Sequence, residues 1–105
     1  MRTRARVMIA NELLARLVCD EVEGQIAQGK AFTAYNVTRA LRRQQPQLEI
    51  PHARVRLVVH SIMRHLGQCG EYEAAPVQFH DGEALLYVPG EARVVPPSLP
   101  LLPLN

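Results

Sequence analysis

Residues 51–66 read Pro51-His52-Ala53-Arg54-Val55-Arg56-Leu57-Val58-Val59-His60-Ser61-Ile62-Met63-Arg64-His65-Leu66. At the pitch of an α-helix, Val55, Val58, Val59, Ile62 and Leu66 share one side, which predicts an amphipathic helix over about 51–66. Pro51 suits its first position, where a missing N–H costs nothing. Gly67 or Gly70 ends it. The opposite side collects Arg56, His60 and Arg64 at i, i+4 and i+8, with Leu57 and Ser61 beside them.

Upstream, Thr33 is placed to cap a second helix that turns Ala34, Val37 and Leu41 inward and Arg39, Arg42 and Arg43 outward. Gln45-Pro46 stops it, and Gln47 to Ile50 reads as a short loop. Lys30-Ala31-Phe32 is a short extended piece. Before it, Ala10, Leu14, Val18, Val22 and Ile26 recur every four residues, the stripe of a long first helix running to Gln28. Asn11 or Thr3 is the candidate cap, and Gly29 terminates the helix.

Downstream of Gly70 the period changes to that of strands. Tyr72 to Phe79, then Asp81-Gly82, then Ala84 to Val88 predicts a β-hairpin with Asp81-Gly82 as its tight turn. Pro76 donates nothing to a ladder and marks an edge or a bulge. Tyr72, Phe79 and Tyr87 are expected to cover the helices from the sheet side. Residues 91–105 form a Pro/Leu-rich tail, where proline forbids a helix and favours an extended course. That tail is expected either to be disordered or to lie across its own domain, cross to a second subunit or dock on a partner as an extended peptide.

The 105 residues, 48% of them hydrophobic, suit one domain, taken as 1–90 followed by the tail. No apolar stretch approaches the roughly 20 residues of a membrane helix, and no signal core follows the basic start. A soluble cytoplasmic protein is expected. Cys19 and Cys69 are expected as reduced thiols. Residues 1–66 hold eleven cations and five acids, whereas 67–105 hold Arg93 against five acids. Six arginines fall in 39–64 against Glu49 alone, so one side of the molecule is expected to face a polyanion.

Phe32-Thr33-Ala34-Tyr35-Asn36-Val37-Thr38-Arg39-Ala40-Leu41-Arg42, Pro51-His52-Ala53-Arg54-Val55-Arg56 and the hairpin tip at Gly82 together resemble a winged helix-turn-helix domain, over about residues 9–90. The fold class so implied is mainly α with a small β-hairpin (α+β), three helices plus a wing. The resemblance further implies that the third helix lies in the DNA major groove while the second crosses the backbone. Arg56, His60, Ser61 and Arg64 are then the candidate base contacts, since all four donate hydrogen bonds from one face. Arg39, Arg42, Arg43 and Arg54 are the candidate backbone contacts. Arg2, Arg4 and Arg6 form a basic N-terminal arm suited to a minor groove. The wing departs from the usual pattern: Glu73, Asp81 and Glu83 occupy it, and no Lys or Arg lies between Gly67 and Ala92. It therefore stands clear of DNA or binds a protein.

Catalytic and metal chemistry find no pattern. His60 and His65 diverge round the helix, no Cys-x2-Cys knuckle occurs, and Cys69 has no orienting acid. No catalytic residue, metal or cofactor is expected, and the protein is not read as an enzyme. The expectation is a sequence-specific double-stranded DNA-binding protein, a small transcriptional regulator acting as a homodimer through its first helix or its tail. The alternative is a winged-helix adaptor that holds a protein partner with its acidic wing and Leu/Pro tail.

Overall fold

A computed structural model describes residues 5–79 and 82–90. The elements run β1 (Val7–Met8), α1 (Asn11–Ala27), β2 (Phe32–Thr33), α2 (Ala34–Gln44), β3 (Leu48–Glu49), α3 (His52–Gln68), β4 (Tyr72–Phe79) and β5 (Gly82–Pro89). Three helices and a small antiparallel sheet make an α+β domain.

The helices start and stop for identifiable reasons. The Thr33 hydroxyl accepts from the Asn36 N–H at 3.1 Å, and the Asn36 side chain accepts from the Thr33 N–H at 2.9 Å, a reciprocal capping box. At the end of α1, Gly29 takes φ +66°; its N–H bonds the Ile26 carbonyl and the Lys30 N–H bonds that of Gln25. This is a Schellman closure, and α3 repeats it at Gly70, where φ is +75° and the Glu71 N–H reaches the Leu66 carbonyl. Gly70, not Gly67, therefore ends α3, and the helix runs two residues beyond Leu66. The start of α1 differs from expectation too: Ala10 occupies the cap position and offers no side-chain bond. Asn11 is already helical, and Thr3 lies outside the described residues.

Leu14, Val18 and Val22 of α1, Val37 and Leu41 of α2, and Val55, Val59 and Met63 of α3 meet in one core with Ile9, Phe32, Ile50, Tyr72 and Tyr87. The sheet order is β2–β5–β4, so β5 is central, with Phe32 opposite Tyr87 and Thr33 opposite Leu86. Phe32 stands with its ring centroid 6.0 Å from that of Tyr72 and 5.7 Å from that of Tyr87, both tilted. Such pairs add to the burial of the rings. The Tyr72 hydroxyl, at the foot of the hairpin, donates to the Lys30 carbonyl at 3.1 Å. Phe79 does not join this cluster; it is 52% exposed near the hairpin tip.

Three local expectations change. The strand before α2 is Phe32–Thr33, and Lys30 and Ala31 precede it. The supposed loop at 47–50 contains β3, which pairs in parallel with β1, Val7 opposite Leu48 and Met8 opposite Glu49. Phe79 pairs with Gly82, so the hairpin connection is His80-Asp81, both outside the described residues, and Gly82 already belongs to β5. A two-residue periodicity cannot by itself choose between these neighbouring registers. The tail, residues 91–105, and the arm residues Arg2 and Arg4 also lie outside the described residues.

Where the hairpin meets α3, Gly90 donates to the Glu71 carbonyl at 2.9 Å. A Cβ on Gly90 would stand 2.4 Å from the Gly70 carbonyl oxygen, which is backbone and cannot swing aside. Gly90→Ala should therefore lower the unfolding free energy by about 1–3 kcal/mol, the usual cost of overpacking, measured by urea denaturation. An unchanged midpoint would mean that this approach is looser than described.

Candidate nucleic-acid interface

The charged faces of α2 and α3 are built around the chain between them. Segment 48–52 runs back along α2. The Arg42 guanidinium donates twice to the Ile50 carbonyl, from Nε at 3.1 Å and from NH2 at 2.9 Å. Val7 and Ile9 hold the same segment from the other side, their N–H groups bonding the carbonyls of Gln47 and Glu49. Ile50 itself is buried. Arg42, expected as a backbone contact, thus fixes the start of α3, while its side chain remains exposed.

His52 completes the joint. Its Nδ1 lies 2.7 Å from the Thr38 hydroxyl, which already donates to the Ala34 carbonyl at 3.1 Å. A hydroxyl has one proton to give, so Nδ1 carries a hydrogen and donates, leaving Nε2 as the atom that titrates. The exposed Tyr35 ring meets the imidazole edge-on at 5.3 Å. Burial first, then the charges of Arg56 and Arg42, hold the His52 pKa below its ordinary 6.5. Arg56 acts on the sheet as well. Burial pushes the Tyr87 phenol up, and the Arg56 charge pulls it partly back.

These relations locate Arg56 on the flank of α3 that looks toward α2 and β5. The centre of the outward face is elsewhere. Opposite the buried Val55, Val59 and Met63 lies Leu57, 67% exposed. Arg64 is about 20° from it round the helix, Ser61 about 40°, His60 about 60° and Arg56 about 100°. The four candidate base contacts are all exposed, but only Arg64, Ser61 and His60 share the outward half of α3, and Arg56 stands on its flank.

The candidate backbone contacts separate more widely. Arg39 and Arg43 are exposed on the outer side of α2. Arg54 turns toward α1, where its NH1 donates to the Asn11 side-chain oxygen at 3.0 Å. Arg6 is exposed but not on a loose arm: β1 begins at the next residue, and Arg6 lines a cleft with Arg42, Pro46, Leu48, Glu49, Ile50 and Pro51. Sequence reasoning overlooked Tyr35, Thr38 and His52. Their contacts arise from chain folded back along α2, and no periodicity reports such a contact. Exposed Glu73 and Glu83 stand on the hairpin.

Among the described residues no group of three His, Cys, Asp or Glu is placed to hold a metal ion, and no helix is long and apolar enough to cross a membrane. Compared with protein-family models, curated proteins and solved structures, the chain matches none.

Because the His52 pKa is lower folded than unfolded, the unfolded chain takes up a proton first as pH falls. Its share of stability is full above about 6.5, the unfolded value, and is lost as pH drops from there toward the folded pKa. His52→Gln should flatten that segment of the stability–pH curve measured by urea melts. Parallel curves for the two proteins would remove His52 as the cause.

Proposed function

We propose that this domain is a winged helix-turn-helix that binds double-stranded DNA and reads sequence with α3 in the major groove, as a small transcriptional regulator. The observation that carries the reading is that α2 and α3 expose all six arginines between 39 and 64, a stretch whose one acid is Glu49, with Arg54 alone of the six turned toward α1. The order helix, strand, helix, helix, hairpin, with the short strand beside the last one (β2–β5–β4), supports it. So does the exposed outward half of α3, because an α-helix fits the major groove and arginine donates a fork of N–H groups to guanine.

The roles divide by position. Arg64, Ser61 and His60 face a base edge from the outward half of α3, with Arg56 reaching from its flank. Leu57 between them suits a thymine methyl. Arg39 and Arg43 neutralise phosphates and carry no sequence information. Arg42 and Arg54 add charge while their hydrogen bonds hold the helices in place, and Arg6 adds charge beside Arg42. A single recognition helix covers few base pairs, so a homodimer on paired half-sites is part of the reading. The proposal involves no catalysis and no cofactor, and it places the protein in the cytoplasm, on the nucleoid when bound.

A second reading is favoured by one feature, the exposed acidic residues Glu73 and Glu83 on the hairpin with no compensating cation. That hairpin repels phosphate and suits a protein partner, which would make the domain an adaptor.

Selection from random duplex DNA separates the two. The expected result is a defined motif whose affinity falls steeply with salt. Arg56→Ala and Arg64→Ala should each cost about 1–3 kcal/mol and relax preference at one position. Arg39→Ala and Arg43→Ala should weaken all sequences alike and reduce the salt slope. If nothing is enriched and the paired Arg56→Ala, Arg64→Ala protein binds as the original does, the DNA reading fails and the adaptor takes its place.

A further inference from the structure

The cleft beside the helix joint holds charge that the protein does not neutralise. Arg6, Arg42 and Glu49 line it, Pro46, Leu48 and Pro51 give it apolar walls, and its volume is about 450 Å³, a size common for small-molecule sites. All three charged side chains are exposed, and among the described residues none of them forms an ion pair. Arg42 is held in readiness. Its Nε and NH2 each give a hydrogen to the Ile50 carbonyl, which fixes the plane of the guanidinium. The donors left over lie on the NH1–NH2 edge, a fork that takes a carboxylate in two parallel bonds. Arg6 is positioned from the next residue, whose N–H bonds the Gln47 carbonyl, and it brings a second cation to the same cleft. Glu49 restricts what fits. A phosphodiester offers no N–H or O–H to that carboxylate and is repelled by it. A matching ligand carries an anionic group, a cationic donor and an apolar body.

We propose that this cleft binds a free amino acid with an apolar side chain. The ligand's carboxylate takes the open fork of Arg42 with Arg6 beside it, and its ammonium meets Glu49. Its side chain lies against Leu48 and the two prolines. Proline rings have little freedom to lose and Arg42 is already fixed, so binding orders few groups. An interior stretch of peptide fits poorly, because its amide bonds have consumed both the ammonium and the carboxylate. The site does not depend on the DNA reading. Where that reading holds, the ligand is an effector, since it joins Arg6 to the arginine that holds the segment leading into α3.

The test titrates L-leucine into the isotope-labelled full chain, without DNA, and follows it by nuclear magnetic resonance. Saturable shifts are expected at the Arg42 Nε–H and at the Val7, Leu48 and Glu49 amides, with a Kd of about 1 mM or tighter. N-acetyl-L-leucine lacks the ammonium and L-leucinamide lacks the carboxylate, so each should bind about tenfold more weakly. Arg6→Gln should weaken leucine by a similar factor. Glu49→Gln should weaken leucine yet strengthen N-acetyl-L-leucine, a crossover that damage to the fold does not produce. Both side chains are exposed, and circular dichroism should match the original. Shifts that never saturate would overturn the proposal, as would N-acetyl-L-leucine or inorganic phosphate binding as tightly as leucine. Arg6→Gln and Glu49→Gln proteins that bind leucine as the original does would overturn it too. None of these results bears on DNA binding.

Discussion

Everything distinctive about the described surface depends on how the chain between α2 and α3 is held. One carbonyl, that of buried Ile50, receives two N–H bonds from Arg42, and hydrogen bonds from a charged donor are worth about 1.5–3 kcal/mol. Val7 and Ile9 close on the same segment from the N-terminal side, and His52 locks onto Thr38 one step further along. Helix α3 therefore leaves this joint in a fixed direction. The positions of Arg56, His60, Ser61 and Arg64 relative to Arg39 and Arg43 follow from that direction and not from any contact among the arginines themselves. The joint also explains why Arg42 cannot be treated as a surface charge alone. Its removal would strip the Ile50 carbonyl of both donors while subtracting a cation.

The sheet adds a second constraint at the other end of α3. The closure at Gly70 passes the chain directly into β4, and Gly90 returns it against the same turn. Phe32, Tyr72 and Tyr87 then fasten the sheet to the helices through tilted ring contacts. The hairpin is firmly rooted, and its tip projects past the core, which is why Phe79 and Leu85 are exposed while Tyr72 and Tyr87 are buried.

Much of this was legible in the residues. The apolar stripes of the three helices, Thr33 as a cap, Gly29 as a stop and the hairpin at 72–88 follow from periodicities and local chemistry that act within a few residues. Three features escaped because they depend on distant partners. Strand β3 exists only because Val7–Met8 lies beside it, some forty positions away in sequence. The hairpin register was shifted by the favourable look of Asp81-Gly82. The Tyr35–His52–Thr38 contact needed the chain to double back along α2. The same limit applies to the surface. Arg56, His60 and Arg64 were readable as a row, yet the spacing of four drifts by about 40° per step and leaves Leu57 and Arg64 at the centre. Only the buried side, once known, shows where outward is.

The ladder between β1 and β3 has a kinetic meaning. It is very short, and its flanking bonds, from Val7 to Gln47 and from Ile9 to Glu49, contribute about 0.5–1.5 kcal/mol each. Such a clasp opens locally far more often than the domain unfolds. It also joins segments far apart in the chain, so closing it costs the entropy of a long loop. The N-terminal residues consequently act as a latch on the helix joint. Whatever pulls on or extends that end of the chain transmits its load first to the segment that aims α3, before any of it reaches the core.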